Sequence, residues 1–279
     1  MTLVAVTWDG LALSTMDDAT GLARVVRTVD GWYGTADVDT HDANRELADG
    51  AVYGPKVAKA REITISGTVT GQRADLIATR DAIAARVVAK TPADLVITDP
   101  WLNQSLTAQV RATSALKHEF INDRAFRYEV VLSAADPRRY AIGWQTAVIQ
   151  LTGGTGTAGR VYSRVYSWSY GIGVVPGLAT LANEGNVSAP VFATYDGPLT
   201  ETRLTDGTTM VHVAPLLVGE QLLIATDTLT AMAPGGASRA SYIMAGSAPL
   251  LIPPASQVTW QLLGSGLGTV TLQWRAAWA

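Results

Sequence analysis

The run Asn183-Glu184-Gly185-Asn186-Val187-Ser188-Ala189-Pro190, leading into Val191-Phe192-Ala193-Thr194-Tyr195-Asp196-Gly197-Pro198, constrains this chain more than any other stretch. An Asn/Gly turn enters a strand of alternating residues, proline stands at the strand's start, and a Gly-Pro turn closes it. Proline cannot donate to a central ladder, so the pattern predicts a strand at the rim of an antiparallel sandwich. Beyond residue 178 no helical period of useful length occurs. Turn signals recur instead at Asp206-Gly207, Pro234-Gly235-Gly236, Pro253-Pro254 and Gly264-Ser265-Gly266. That spacing predicts a β-sandwich or jelly roll, with a last strand over residues 269–275 and an end at Trp274-Arg275-Ala276-Ala277-Trp278.

The first half reads differently. Residues 3–8 alternate and run into the turn Asp9-Gly10, a strand and hairpin. Residues 63–70 alternate strictly, placing Ile63, Ile65 and Val69 on one face and hydroxyls on the other. Between them, residues 30–59 are rich in Gly, Asp and Ala with little periodicity, too long for an ordinary connection, and read as an arm or loop reaching a neighbour. The period changes to 3.6 over residues 72–90, with Leu76, Ile77, Ile83, Ala84, Val87 and Val88 as the apolar stripe and Pro92 as the stop. Strands are expected over 94–98, 106–112 and 124–134, and Asp136-Pro137-Arg138-Arg139-Tyr140 closes the domain. A glycine-rich stretch, residues 153–159, and the tandem repeat Arg160-Val161-Tyr162-Ser163, Arg164-Val165-Tyr166-Ser167 come next, an ordered and extended linker. The expected division is therefore 1–145, a linker over 146–177, and 178–279.

Composition narrows what such a chain does. Of 279 residues 48% are hydrophobic and only 16% charged, against a usual charged share of about 25%. The surplus apolar surface needs covering, and with no run near the roughly 18 apolar residues of a membrane span, subunit contacts are the expected cover. No secretion signal is read at the N-terminus. A formal net charge of −3 argues against specific nucleic-acid binding. The absence of cysteine removes disulfides and thiolate chemistry.

The order of these features resembles the distal tail protein family of long-tailed, non-contractile bacteriophages, also called minor tail proteins. The resemblance rests on an N-terminal β-domain with one helix, Asp136-Pro137-Arg138-x-Tyr140, Asn183-x-Gly185-Asn186-x-x-x-Pro190, Gly197-Pro198-Leu199 and Arg275-x-x-Trp278. It implies a mainly β chain with an N-terminal split-barrel-type domain carrying one packed helix and a C-terminal galectin-like β-sandwich. It further implies a virion protein: a hexameric ring at the distal end of the tail, assembled in the host cytoplasm, joining the tail tube protein to the tail-tip hub or baseplate. DNA would pass through its lumen, and tape-measure and receptor-binding proteins would be further partners.

Sharper chemical readings fall to plainer ones. Gly154-x-Gly156-x-x-Gly159 has the form of a dinucleotide fingerprint, but the residues after it alternate with period two instead of opening a helix, so no cofactor is expected. His41, His118 and His212 are isolated in sequence, and Asp17-Asp18 and Asp37-Val38-Asp39 read as solvated carboxylates, so neither a metal site nor a general acid/base pair is expected. Without a nucleophile elbow, the chain reads as no enzyme. Trp260, Trp274 and Trp278 offer surfaces on which a sugar stacks, the basis of an alternative function as a carbohydrate-binding or host-adhesion module, although alternation favours packing for the first two. The candidate interface residues are Trp32, Tyr33 and Tyr53, read as exposed aromatics in the 30–59 segment.

Overall fold

The computed structural model describes residues 4–17, 20–45, 49–151, 160–161, 169–170 and 177–279, with backbone alone at 160–161 and 169–170. The chain is mainly β and divides into two units, Met1–Ile142 and Gly143–Trp278.

The first unit opens with the hairpin β1 (Ala5–Trp8) and β2 (Leu11–Ala12), followed by β3 (Thr15–Asp17) and β4 (Leu22–Asp30). Four short strands come next: β5 (Val38–Thr40), β6 (Ala43–Asn44), β7 (Ala51–Val52) and β8 (Lys56–Ala58). The long β9 (Arg61–Thr70), helix α1 (Arg73–Val87), β10 (Ala93–Asp99), β11 (Gln104–Ala112), β12 (Lys117–Asn122), β13 (Ala125–Ala134) and β14 (Arg139–Ala141) complete it. The sheet runs β2-β1-β10-β11-β13-β9-β4-β3, with β12 on the free side of β13. It is nearly closed, and β11 is where it splits. Residues 104–110 of β11 pair with β10, whereas Arg111 and Ala112 pair with Ser133 and Leu132 of β13.

Alternation decides which face is buried. Ile63, Ile65 and Val69 of β9 pair with Leu132, Val130 and Phe126 of β13, and all six are at most 1% exposed. In the same ladder Gly67 faces Tyr128, and a Cβ at Gly67 would lie 2.5 Å from the tyrosine hydroxyl, so only glycine fits under the ring. Helix α1 packs on β11 and β13 through Leu76, Thr79 and Ile83. The expected stripe is corrected in part. Ile77 and Val88 are exposed, because the contact follows the i, i+3, i+7 row and both lie off it. Arg86 ties the end of the helix to the first hairpin, donating to the carbonyls of Trp8 and Asp9.

The second unit begins earlier than the sequence reading placed it. Gln145, read as the end of the first domain, and residues 146–150, read as linker, form β15 (Gln145–Gln150), fully paired in a sheet. Two short strands, β16 (Arg160–Val161) and β17 (Ser169–Tyr170), pair with each other. The glycine run 153–159 and the rest of the tandem repeat lie outside the described residues. Then come β18 (Gly177–Asn183), β19 (Ala189–Asp196), β20 (Leu199–Thr205), β21 (Met210–Val213), β22 (Gln221–Ala225), β23 (Thr230–Met232), β24 (Leu251–Ile252), β25 (Ser256–Gly266), β26 (Thr269–Trp274) and β27 (Ala277–Trp278). One sheet runs β15-β26-β19-β22-β23, the other β18-β25-β20-β21. Val191, Ala193, Tyr195, Ile224, Val270 and Leu272 of the first and Leu181, Leu204, Val211, Trp260 and Leu262 of the second are completely buried, the inner faces of a galectin-like sandwich.

The rim position expected for residues 189–196 is corrected: β19 is central, flanked by β26 and β22. Pro190 is tolerated because both of those ladders start beyond it, at Val191 with β26 and at Phe192 with β22. The turn before the strand is held by Asn183, 1% exposed. Its Nδ2 donates to the carbonyls of Val187, Ile252 and Pro253, and its Oδ1 accepts from the amides of Gly185 and Ala277. Gly185 lies so close to the Ala277 carbonyl that a Cβ would sit 1.7 Å from that oxygen. The Asn-x-Gly signature is thus a packing junction as well as a turn.

Candidate assembly interface

Residues 37–60 form an arm. Val38, Asp39 and Thr40 of β5 pair with Ala58, Val57 and Lys56 of β8, and Ala43 and Asn44 of β6 pair with Val52 and Ala51 of β7. Every described residue of this stretch is exposed except Gly54, which is partly covered. Two further bonds cross the ribbon: Asp42 Oδ1 accepts from the Gly54 amide at 2.9 Å, and the Asp37 carbonyl accepts from the Lys59 amide at 2.7 Å. An exposed Lys59–Asp39 ion pair at 3.0 Å adds little, about 0.5 kcal/mol. A two-stranded ribbon is marginal alone in water. This one also leaves Val38, Val52, Tyr53 and Val57 in solvent, Tyr53 at 91% exposure.

The base of the arm is built oppositely. Arg61, the first residue of β9, is 1% exposed and donates from Nε to the Pro137 carbonyl and from Nη1 to the carbonyls of Gly31, Trp32 and Gly34. One buried cation therefore joins the entry of the arm to the segment that closes the unit. Burial lowers its proton affinity from the ordinary guanidinium value. Burial, and then the charge of Arg61, push Arg139 down to about 10, and its guanidinium lies over the Trp32 ring at 5.7 Å. In the closing motif, burial alone would raise the Asp136 carboxyl. Hydrogen bonds from Arg138 and Tyr140 outweigh that and hold it below the ordinary value.

Of the three candidate interface residues, Trp32 is corrected: it is 2% exposed, a core residue under Arg139 rather than a surface anchor. Flanking glycines suggested a loop in solvent, but Arg61 draws the backbone of 31–34 inward and takes the indole with it. Tyr33 is 45% exposed. Burial, then a hydrogen bond to Asp99, push its hydroxyl up to about 12, so it stays a neutral donor. Asp99 also accepts from the amides of Trp101 and Leu102, at 2.8 and 3.4 Å. This turn presents Trp101 at 81% and Leu102 at 58% exposure, and sequence reading passed over both. The available signal was Asp99-Pro100 between two alternating strands, which places the next apolar residues at a turn tip. At another margin of the unit, β12 pairs only with β13 among the described residues; all six of its residues are exposed, with Phe120 and Ile121 among them.

Of the three tryptophans offered for sugar stacking, Trp260 is fully buried and Trp274 is 4% exposed with its Nε1 donating to the Ala182 carbonyl, so these two pack as their alternation implied and offer no stacking face, whereas Trp278 is partly exposed. Among the described residues no three His, Asp or Glu side chains gather to hold a metal ion, and no helix is long and apolar enough to cross a membrane.

No family model and no curated protein sequence matches this chain. Solved structures do. The baseplate of phage P2, activated with calcium or with strontium, contains chains similar at TM-score 0.47 in both cases, with 10% and 9% identity over 98% and 97% of each chain. The Dit protein (gp 19.1) of phage SPP1, described as a paradigm of the hub adsorption apparatus in phages infecting Gram-positive bacteria, aligns at TM-score 0.62 with 14% identity. That alignment covers 100% of both chains, so the likeness read from short motifs is met end to end, and this chain has the fold of a phage distal tail protein.

Proposed function

We propose that the chain is a structural component of a phage tail tip: a ring, six-fold by family analogy, at the distal end of the tail tube. The observation that carries the reading is the full-length fold likeness to the SPP1 Dit protein. The physical support lies in the first unit. It has an arm without a core of its own, an exposed edge strand β12, and large apolar side chains at Tyr53 and Trp101. Open edges invite chain-to-chain pairing, and a closed cycle covers every edge where an open array would aggregate. In this reading the arm and Tyr33 and Tyr53 contact the neighbouring copy. The tail tube protein docks on one side of the ring and the tail-tip hub on the other, and tape-measure and receptor-binding proteins are further partners. The net charge of −3 gives passing DNA no cationic lumen to adhere to. The role is mechanical, not catalytic.

Native mass measurement with negative-stain microscopy tests it. A six-fold particle with a central hole is expected, and a chain that stays monomeric at high concentration overturns the proposal.

A further inference from the structure

Strands β4, β9, β13 and β12, side by side in the first unit, bear a cleft of about 290 Å³. Its charged lining is Arg27 of β4, Arg127 and Glu129 of β13, and Lys117 and Glu119 of β12, with Ser66 of β9 among them. Register gathers the two arginines at one residue. Arg27 Nε donates to Thr68 Oγ1 at 2.8 Å, and Arg127 is the partner of Thr68 in the β9–β13 ladder. Cross-strand partners lie about 5 Å apart at Cβ, so two like charges flank a threonine that is itself only 7% exposed. The acids of the cleft do not answer both. Glu129 is taken by Lys117 Nζ at 2.6 Å, and among the described residues neither Arg27 nor Arg127 forms an ion pair, although Glu119 is the register partner of Arg127. Two adjacent guanidinium groups with free donors repel each other, and an anion placed between them turns that cost into charge-assisted hydrogen bonds.

The same chain presents a fitting anion. Residues 37–60 carry five acids against three bases. Asp39 is taken by Lys59, and Asp42 Oδ1 by the Gly54 amide. Asp49 lies in the turn between β6 and β7 at the far end of the ribbon, exposed, and its carboxylate has no hydrogen bond or ion pair among the described residues. Close by in sequence stands Tyr53, 91% exposed. An arginine offers a carboxylate its fork of donors and an aromatic ring its flat face, so one pair of arginines suits both groups of the arm tip. The arm does not fill the cleft of its own chain, since every described residue of it but Gly54 is exposed. Along β9, Arg61 at the base of the arm and Thr68 in the cleft are separated by about 23 Å at roughly 3.3 Å per residue. Arm and cleft are thus separate patches, and joining them copy to copy makes the head-to-tail contact from which a ring closes. We propose that the arm tip of one copy docks in the β4-β9-β13-β12 cleft of the next, with Asp49 on Arg27 and Arg127 and Tyr53 against their faces. This rests on the ring reading and names the surface that receives the arm.

Charge reversal in the full chain, read by native mass measurement over a dilution series, tests this. Arg127→Glu and Asp49→Arg should each weaken ring assembly at least about tenfold, and the two combined should restore it to within about threefold of wild type. The sequence has no cysteine, so Ala51→Cys with Ser66→Cys gives a second readout on a silent background: a short bismaleimide should join copies into a covalent ladder. Rings that form undiminished in Arg127→Glu, a combined variant no better than either single one, or rings of the cysteine pair that yield no ladder each overturn this proposal and leave the ring reading standing. A wild-type chain that stays monomeric at high concentration overturns both.

Discussion

The arm at 37–60 and the turn at 183–190 are built from the same kinds of residue, small and polar with Asn, Asp and Gly, yet they end in opposite places. In the arm nearly every side chain faces solvent, whereas Asn183, Gly185, Ala189 and Pro190 are buried. The difference is who satisfies the backbone. At 183–190 one asparagine completes five hydrogen bonds to main-chain groups from three separate segments, so the turn becomes part of the core. In the arm the ribbon satisfies itself only through its own few cross-strand bonds, and its apolar side chains have nothing to pack on. Small polar residues mark where a chain turns, and the partners of their amides and carbonyls decide whether the turn is inside.

This contrast can be broken most severely at the arm. Replacing residues 37–59 with a short Gly/Ser loop should abolish ring assembly altogether while costing the isolated chain no more than about 1 kcal/mol, since the arm adds no core. Sedimentation and urea denaturation read the two effects separately, and a large loss of stability would show that the arm is part of the unit's core after all. Asn183→Ala should do the reverse, destabilising the second unit by about 3–4 kcal/mol because buried carbonyls and amides lose their partner. A urea midpoint close to wild type would refute the hub role. Arg61→Ala lies between them: leaving the carbonyls at 31–34 and 137 unpaired should cost about 3 kcal/mol, and Trp32 fluorescence should shift to the red as the arm's base loosens.

Smaller effects sharpen the same comparison. Tyr53→Ala should leave the melting temperature unchanged but weaken ring assembly about tenfold, the behaviour of an interface anchor. Equal assembly in concentration-dependent scattering would remove Tyr53 from the contact. The Asp136 carboxyl is held below its ordinary value in the folded state, so its contribution is present above pH 3.8 and is lost as the pH falls through the folded value. Its side chain is 40% exposed, so the effect should stay below about 1 kcal/mol. Asp136→Asn should flatten that acid limb of the pH–stability curve.

Much of the architecture was legible in local pattern. Ile63, Ile65 and Val69 announced a half-buried strand by alternation, and Leu76 and Ile83 announced a helix by their spacing, because side-chain direction follows from backbone period alone. Position within a sheet was not legible. Pro190 suggested a rim, yet β19 is central: its ladders with β26 and β22 begin one and two residues after the proline, at Val191 and Phe192, and that depends on where β26 and β22 arrive. The candidate interface was legible as a segment and not residue by residue: Tyr53 is exposed, Trp32 is buried by a cation 29 positions away, and Trp101 and Leu102 stand out only once their turn is formed.

Sequence by itself determined the periods, the turns and the poverty of charge, all properties of neighbouring residues or of composition. Tertiary structure decided which glycines lie beneath a ring or a carbonyl, that Arg61 spends its charge on four backbone oxygens, and that Trp260 and Trp274 are core rather than platform. Those outcomes depend on groups far apart in the chain meeting in space, where burial removes the water that would otherwise satisfy them, and no local pattern carries that information.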